Sequence, residues 1–250
     1  MRTNLELFAL SLLIIIPICL IFLYTMHLIN SKRGEFSRHH IRAIFLNAVS
    51  VTLFFTIPLN IRYGTLIKNL DKSINTLAVE NWNPITTQIA LIVTNIISPT
   101  NMFILTVSFG ALLLLHKKCK HAILLLVSLG GGLLFEVLTK IIVHRERPVN
   151  ALLTLSDYSF PSGHATMSTI FFIMVIYTYK DKITSRGLRY LFIGTNAALF
   201  FLIGLSRVYL RVHWLSDVFA GFALGIFWLT LLILVSYFIP KKYYGCLRLR

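Results

Sequence analysis

Three short segments of the 250-residue chain hold side chains whose types and spacing suit phosphoryl transfer. Segment 140–148 reads Lys-Ile-Ile-Val-His-Arg-Glu-Arg-Pro, so Lys140 and Arg147 bring two cations beside Pro148, which stops a helix. Segment 160–164, Phe-Pro-Ser-Gly-His, has the composition of a helix N-terminus. Ser162 and Gly163 follow a proline there and present N–H groups and a dipole that attract an anion, and His164 comes next. Segment 206–217 carries Ser206, Arg207, His213 and Asp217. The last two are four apart, which on a helix gives them one face and lets Asp217 fix the imidazole tautomer. Together these groups meet the needs of phosphoryl transfer without a metal: Lys140, Arg147, Arg207 and backbone N–H groups hold the oxygens, one histidine attacks phosphorus, and the other protonates the departing oxygen. Each segment also has a plainer use. Lys and Arg at helix ends snorkel to headgroups, Pro-Ser-Gly makes ordinary turns, and an intramembrane His–Asp pair suits the proton relay of a transporter. Two His and one Asp also suit zinc, although three neighbouring cations oppose a divalent ion.

The elements that must position these residues are membrane helices. Hydrophobic residues make up 56% of the chain and charged residues 13%, with a mean hydropathy of +0.77, leaving too little polar side chain to cover a soluble globule. A water-soluble enzyme and a disordered chain are both excluded. A helix needs about 20 apolar residues to cross the hydrocarbon core, and seven stretches qualify: 7–29, 43–61, 97–116, 122–143, 164–179, 190–206 and 218–240. The first is too long for a secretory signal peptide and lacks its cleavage site. The expected fold is all-α, a polytopic bundle of six to seven spans. Residues 1–70 form an N-terminal two-span extension, 71–240 the core and 241–250 a basic cytoplasmic tail. The uncharged run between Glu80 and Lys117 carries Pro84 and Pro99, which predicts an interfacial helix ahead of Pro99, with Asp71, Lys72 and Glu80 at the surface.

The formal charge of +15, from 24 Lys and Arg against 9 Asp and Glu, would suggest nucleic acid in a soluble chain; in a membrane protein it reports orientation. Fifteen of the cations, with two acids, fall in loops 30–42, 117–120 and 180–189 and in the tail from 241. The positive-inside rule places these in the cytoplasm and the three polar segments on the outer face. No nucleic-acid partner is expected. Cys19 lies in a span, and Cys119 and Cys246 fall on the cytoplasmic side where thiols stay reduced, so no disulfide is expected. Glu136, four residues before Lys140, predicts an ion pair, and Gly130, Gly131, Gly132, Gly221 and Gly225 read as points of close helix packing. Arg145, Arg211 and His144 take no assigned role.

The order Lys, six residues, Arg-Pro; then Pro-Ser-Gly-His; then Ser-Arg, five residues, His, three residues, Asp resembles the signature of the type-2 phosphatidic acid phosphatase family. It is met by Lys140, Arg147, Pro148, Pro161, Ser162, Gly163, His164, Ser206, Arg207, His213 and Asp217. The resemblance covers roughly residues 71–240. It implies a helical core shared with vanadium haloperoxidases and a two-step hydrolysis that uses no metal or other cofactor. By that likeness His213 is the nucleophile, Asp217 orients it and His164 protonates the leaving group. Lys140, Arg147, Ser162, Gly163 and Arg207 hold the phosphate. The partner is then a membrane lipid phosphate such as undecaprenyl diphosphate, phosphatidylglycerol phosphate or phosphatidic acid. The expected location is a bacterial inner membrane with the site on the periplasmic side. Lipid phosphotransfer, lipid A dephosphorylation and proton-coupled transport are the rival readings.

Overall fold

The computed structural model describes residues 38–238, so the stretch 7–29, Cys19, Cys246 and the basic tail lie outside the described residues. The chain divides into two compact units, Met1–Phe45 and Leu46–Arg250. Eight α-helices and no strands are found among the described residues: α1 (Arg38–Tyr63), α2 (Leu66–Glu80), α3 (Pro84–Asn95), α4 (Pro99–Leu115), α5 (Cys119–Val143), α6 (Gly163–Tyr179), α7 (Arg186–Tyr209) and α8 (Leu215–Phe238). The all-α expectation holds. By length and composition α1, α5, α7 and α8 can each cross a membrane, and α3 with α4, bent by 44° at their junction, make a fifth candidate. The helix α6 is shorter, at 17 residues, and the described part gives four or five candidate spans against the expected six to seven.

Local chemistry sets the helix starts that matter. Asn83 caps α3, its side-chain oxygen accepting from the Ile85 N–H at 2.8 Å, with Pro84 at the first helical position. Ser98 and Pro99 start α4 in the same way. The break expected near Pro99 is present. The amphipathic α2 turns one stripe inward, through Ile67, Asp71 and Ile74, while Lys68 and Lys72 face out. Asp71 is thus 2% exposed, and the surface position expected for it is corrected: it falls on the apolar stripe of its helix and finds polar partners inside.

The centre of the bundle is α6, packed on α5, α7 and α8. Its hydroxyl side chains are satisfied within the helix. Thr166 donates to the Ser162 carbonyl at 3.1 Å, Thr169 to Ala165 at 2.7 Å and Thr178 to Met174 at 2.8 Å, so these hydroxyls are not left unsatisfied against apolar neighbours. Glycines bring α8 close. A Cβ on Gly221 would stand 2.6 Å from the Ser162 carbonyl oxygen, and one on Gly225 would stand 2.9 Å from that of Thr166. On α5, Trp228 fills the space beside Gly131 and Ile170 that beside Gly132; Gly130 meets nothing within 4 Å. The packing reading therefore holds for four of the five glycines and is corrected for Gly130. Leu126, Leu134, Leu191 and Phe201 are exposed, giving the bundle an apolar exterior.

Cys119 is disulfide-bonded, which corrects the expectation of reduced thiols. Bonding depends on two Cβ atoms coming within reach, and sequence spacing does not reveal that.

Because the Gly221 contact is with backbone, Gly221→Ala is expected to lower stability by about 1–3 kcal/mol. Gly194→Ala on α7, where a Cβ meets open space, should be neutral. Melting of the two purified variants in one detergent checks the contrast.

Candidate active site

Helix ends build the site. Lys140 lies near the end of α5, His164 is the second residue of α6, Arg207 is in the last turn of α7, and Asp217 is in the first turn of α8. Successive helices run in opposite directions, so these four ends meet at one end of the bundle, away from Lys118 and Lys182. His213 sits in the connection between α7 and α8 and is 3% exposed.

The 144–162 connection is folded onto this end by its own backbone. His144 closes α5 in a left-handed conformation, and its N–H donates to Lys140 at 3.1 Å. Ser159 donates its N–H to the Arg145 carbonyl at 2.8 Å and its hydroxyl to Arg145 and Glu146, both at 3.1 Å. The Ser159 carbonyl is thereby fixed 2.7 Å from His213 Nδ1. That carbonyl accepts the Nδ1 proton and leaves the Nε2 lone pair on the opposite side of the ring, toward Arg147 Nη1 at 3.2 Å. Asp217, the expected orienting group, stands 3.7 Å from Nδ1, beyond hydrogen-bonding distance. Its Oδ2 instead accepts the Trp214 N–H at 2.9 Å, so it acts on the ring through charge while Ser159 sets the tautomer.

Two networks of alternating charge meet at His213. On the Nε2 side Arg147 pairs with Asp157 at 2.7 Å, Asp157 with Lys140 at 2.5 Å, and Lys140 with Glu136 at 2.8 Å, the expected i,i+4 pair. On the Nδ1 side Asp217 pairs with Arg145, and Arg145 with Asp71 at 2.6 Å. Arg145 also lies over the Trp214 ring, 5.4 Å from its centroid. Burial pushes His213 down to about 4, helped by Arg147 and Arg207 and opposed by Asp217, so the imidazole is neutral at physiological pH. Burial would raise Asp157, but its bonds to Lys140 and Arg147 prevail and hold it at about 2.

A cavity of about 550 Å³ opens at this junction. Lys140, Arg147, Asp157, His164, Arg207 and His213 line its polar end, and Met102 and Phe103 of α4 with Leu129 and Leu133 of α5 line its apolar walls. Arg207, 3% exposed, donates to Thr94 at 2.9 Å, and its Nε is buried without a hydrogen-bond partner among the described residues. Gly163 also lines the cavity, and a Cβ there would collide with the Glu136 carboxylate. As the first two residues of α6, Gly163 and His164 have N–H groups with no partner inside their helix. Ser162 lies behind the wall. Its hydroxyl, fully buried, accepts from the Ala165 N–H at 3.5 Å as the helix cap, and its own N–H donates to the Asp217 carbonyl at 3.0 Å. Among the described residues no three His, Cys, Asp or Glu side chains converge as a ligand set for a metal ion.

The structure thus gathers His164, His213, Lys140, Arg147, Gly163 and Arg207 around one cavity and leaves Ser162 and Asp217 supporting it from behind. A family profile described as the PAP2 superfamily matches residues 121–241, a range that holds all the motif residues. Phosphatidylglycerophosphatase B of Bacillus subtilis is 30% identical over 198 residues, 77% of this chain and 95% of that protein. The chain belongs to the PAP2 superfamily. An undecaprenyl-diphosphatase of Sulfolobus acidocaldarius is 28% identical over 185 residues, 71% of this chain and 84% of that protein. The crystal structure of a transmembrane PAP2-type phosphatidylglycerolphosphate phosphatase from Bacillus subtilis superposes with a TM-score of 0.70 at 24% identity. It covers 82% of this chain and 100% of that one, and so bears out the fold.

Asp157, Ser159, Arg145 and Asp71 were not among the expected site residues. Asp157 is the one acid between the first two motifs, and Asp71 the one acid on the inward stripe of α2; both signals are present in the sequence.

Because folding lowers the His213 pKa from 6.5 to about 4, its neutral form contributes stability that is complete above pH 6.5 and lost as pH falls toward 4. Melting temperatures of wild type and His213→Gln should therefore diverge between pH 6.5 and 4, wild type falling more steeply. Parallel curves would show that the imidazole is not buried neutral.

Proposed function

We propose that this membrane phosphatase hydrolyses lipid phosphates or diphosphates through a phosphohistidine, at the outer boundary of the membrane. The observation that carries the reading is the cavity itself, which joins a cationic end holding both histidines to walls of apolar side chains between α4 and α5. An amphiphile fits such a shape, with phosphate at Lys140, Arg147 and Arg207 and hydrocarbon against Met102, Phe103 and Leu133. The named relatives support phosphatidylglycerol phosphate and undecaprenyl diphosphate as substrates, with phosphatidic acid a third of the same class.

In this reading the neutral His213 attacks phosphorus through Nε2 while Asp217 balances the charge that the ring acquires. The bond from phosphorus to the leaving oxygen breaks, and His164, which takes up a proton once the bound phosphate offsets the surrounding cations, gives that oxygen the proton. Water then attacks the phosphohistidine, His164 takes back a proton, and the His213–phosphorus bond breaks to release inorganic phosphate. Lys140, Arg147, Arg207 and the N–H groups of Gly163 and His164 stabilise the equatorial oxygens. The distribution of Lys and Arg supports an outward-facing site, since the basic loops 117–120 and 180–189 lie at the opposite end of the bundle.

Purified protein with excess chelator should release phosphate from each of the three lipids. His213→Ala should reduce release to background, and His164→Ala by about 10²–10⁴-fold. Intact expressing cells should release phosphate into the medium from a substrate supplied outside. Full activity in His213→Ala, or activity lost with chelator, would overturn the mechanism. Asp157 bridges the two cations that phosphate needs, so Asp157→Asn should tighten inhibition by inorganic phosphate by about tenfold; unchanged inhibition would show that the carboxylate does not compete.

A further inference from the structure

The residue that completes the Nδ1-side network belongs to none of the three motifs and lies outside the matched family segment. Asp71, on the amphipathic α2, makes three hydrogen bonds. Its Oδ1 accepts the Ser216 N–H at 2.9 Å, and its Oδ2 accepts the Ser216 hydroxyl at 2.6 Å and Arg145 Nη2 at 2.6 Å. The first of these is an N-terminal cap of α8 supplied by another helix. The other arm of Arg145, Nη1, donates to Asp217 Oδ1 and to the Ser216 hydroxyl at 2.7 Å. One planar guanidinium is therefore shared by two buried carboxylates, one of which stands beside His213.

The sharing has an electrostatic consequence. With Asp71 ionised, the positive charge of Arg145 is divided, and Asp217 keeps negative potential to offer the His213 ring. With Asp71 neutral, the whole guanidinium charge opposes Asp217, and the ring loses support when it becomes positive on attacking phosphorus. Among the described residues Lys140, Arg147 and Arg207 make no ion pair with Asp217 or Asp71, although Arg147 stands 3.2 Å from His213 Nε2.

We propose that Asp71 is a positioning residue for the reaction, holding Arg145 so that Asp217 stays both placed and negative beside His213. The proposal rests on the reading of His213 as the nucleophile. It makes α2 part of the reaction machinery as well as of the packing.

Asp71→Asn separates charge from tether, because the amide oxygen still accepts from Ser216 while the charge facing Arg145 is gone. With a short-chain lipid phosphate in detergent, Asp71→Asn is expected to lower kcat by about 10–100-fold and leave KM within about twofold. The rate of phosphoenzyme formation in rapid quench should fall in step with kcat, and Asp71→Glu should restore part of the loss. Arg145→Lys keeps a positive charge but cannot reach both carboxylates, so it should give the same kcat loss at unchanged KM. Combined with Asp217→Asn, Asp71→Asn should add little, since both act on one group. Wild-type kcat in Asp71→Asn with reduced activity in Asp71→Ala would overturn the proposal and leave a tether only. A raised KM at unchanged kcat would overturn it too. Should His213→Ala retain full activity, the nucleophile assignment is what fails.

Discussion

An ionised side chain inside an apolar helix bundle is tolerable only beside its opposite, because the cost of leaving water is otherwise several kcal/mol per ion. The two networks that flank His213 obey this, and Arg207, buried against the Thr94 hydroxyl with no ion pair among the described residues, is the exception. Glu136, Lys140, Asp157 and Arg147 alternate in sign on one side of the ring, and Asp217, Arg145 and Asp71 alternate on the other. Much of the local structure follows. Gly163 lacks a side chain where Glu136 approaches, the 149–159 loop is tied to Lys140 and Arg147 through Asp157, and α2 docks its apolar stripe with an acid in the middle of it. Neutral His213 is the joint between the two networks.

The bundle makes this arrangement affordable by leaving little else polar and unsatisfied. Hydroxyls along α6 bond back to their own helix, and glycines on α8 let that helix lie against the first turns of α6. This contact also ties the two histidine-bearing segments together, since the Ser162 N–H donates to the carbonyl of Asp217. Close packing and site geometry are therefore one construction: the glycine that admits α8 also brings Asp217 and Ser162 within hydrogen-bonding distance.

What was legible in the sequence was whatever depends on spacing along one helix or on composition. The all-α membrane fold, the Glu136–Lys140 pair and the break near Pro99 are of this kind. The i,i+4 spacing of His213 and Asp217 was legible too, but it misassigned the hydrogen bond, because His213 precedes α8 and the Ser159 carbonyl reaches Nδ1 from another segment. Asp71 was read as surface because acids on interfacial helices usually face water. Its true position depended on Arg145 and Ser216, more than 70 residues away, meeting it inside. Gly130 resembled its two neighbours in sequence, and only the neighbouring helices distinguish the packed glycines from the one beside open space.

The half-exposed carboxylate of Asp157, at 51%, has a consequence for turnover. It is the one acid of the Nε2-side network on an irregular connection, so it can leave its cations without unwinding a helix. If phosphate takes its place, Lys140 and Arg147 exchange one anion for another and are never left bare. In the proposed reaction the same exchange run backwards would help the product depart, because the returning carboxylate would supply what inorganic phosphate takes away. A site with cations enough to grip phosphate firmly would otherwise hold its product as tightly as its substrate, and a tethered competitor offers a way out of that trap.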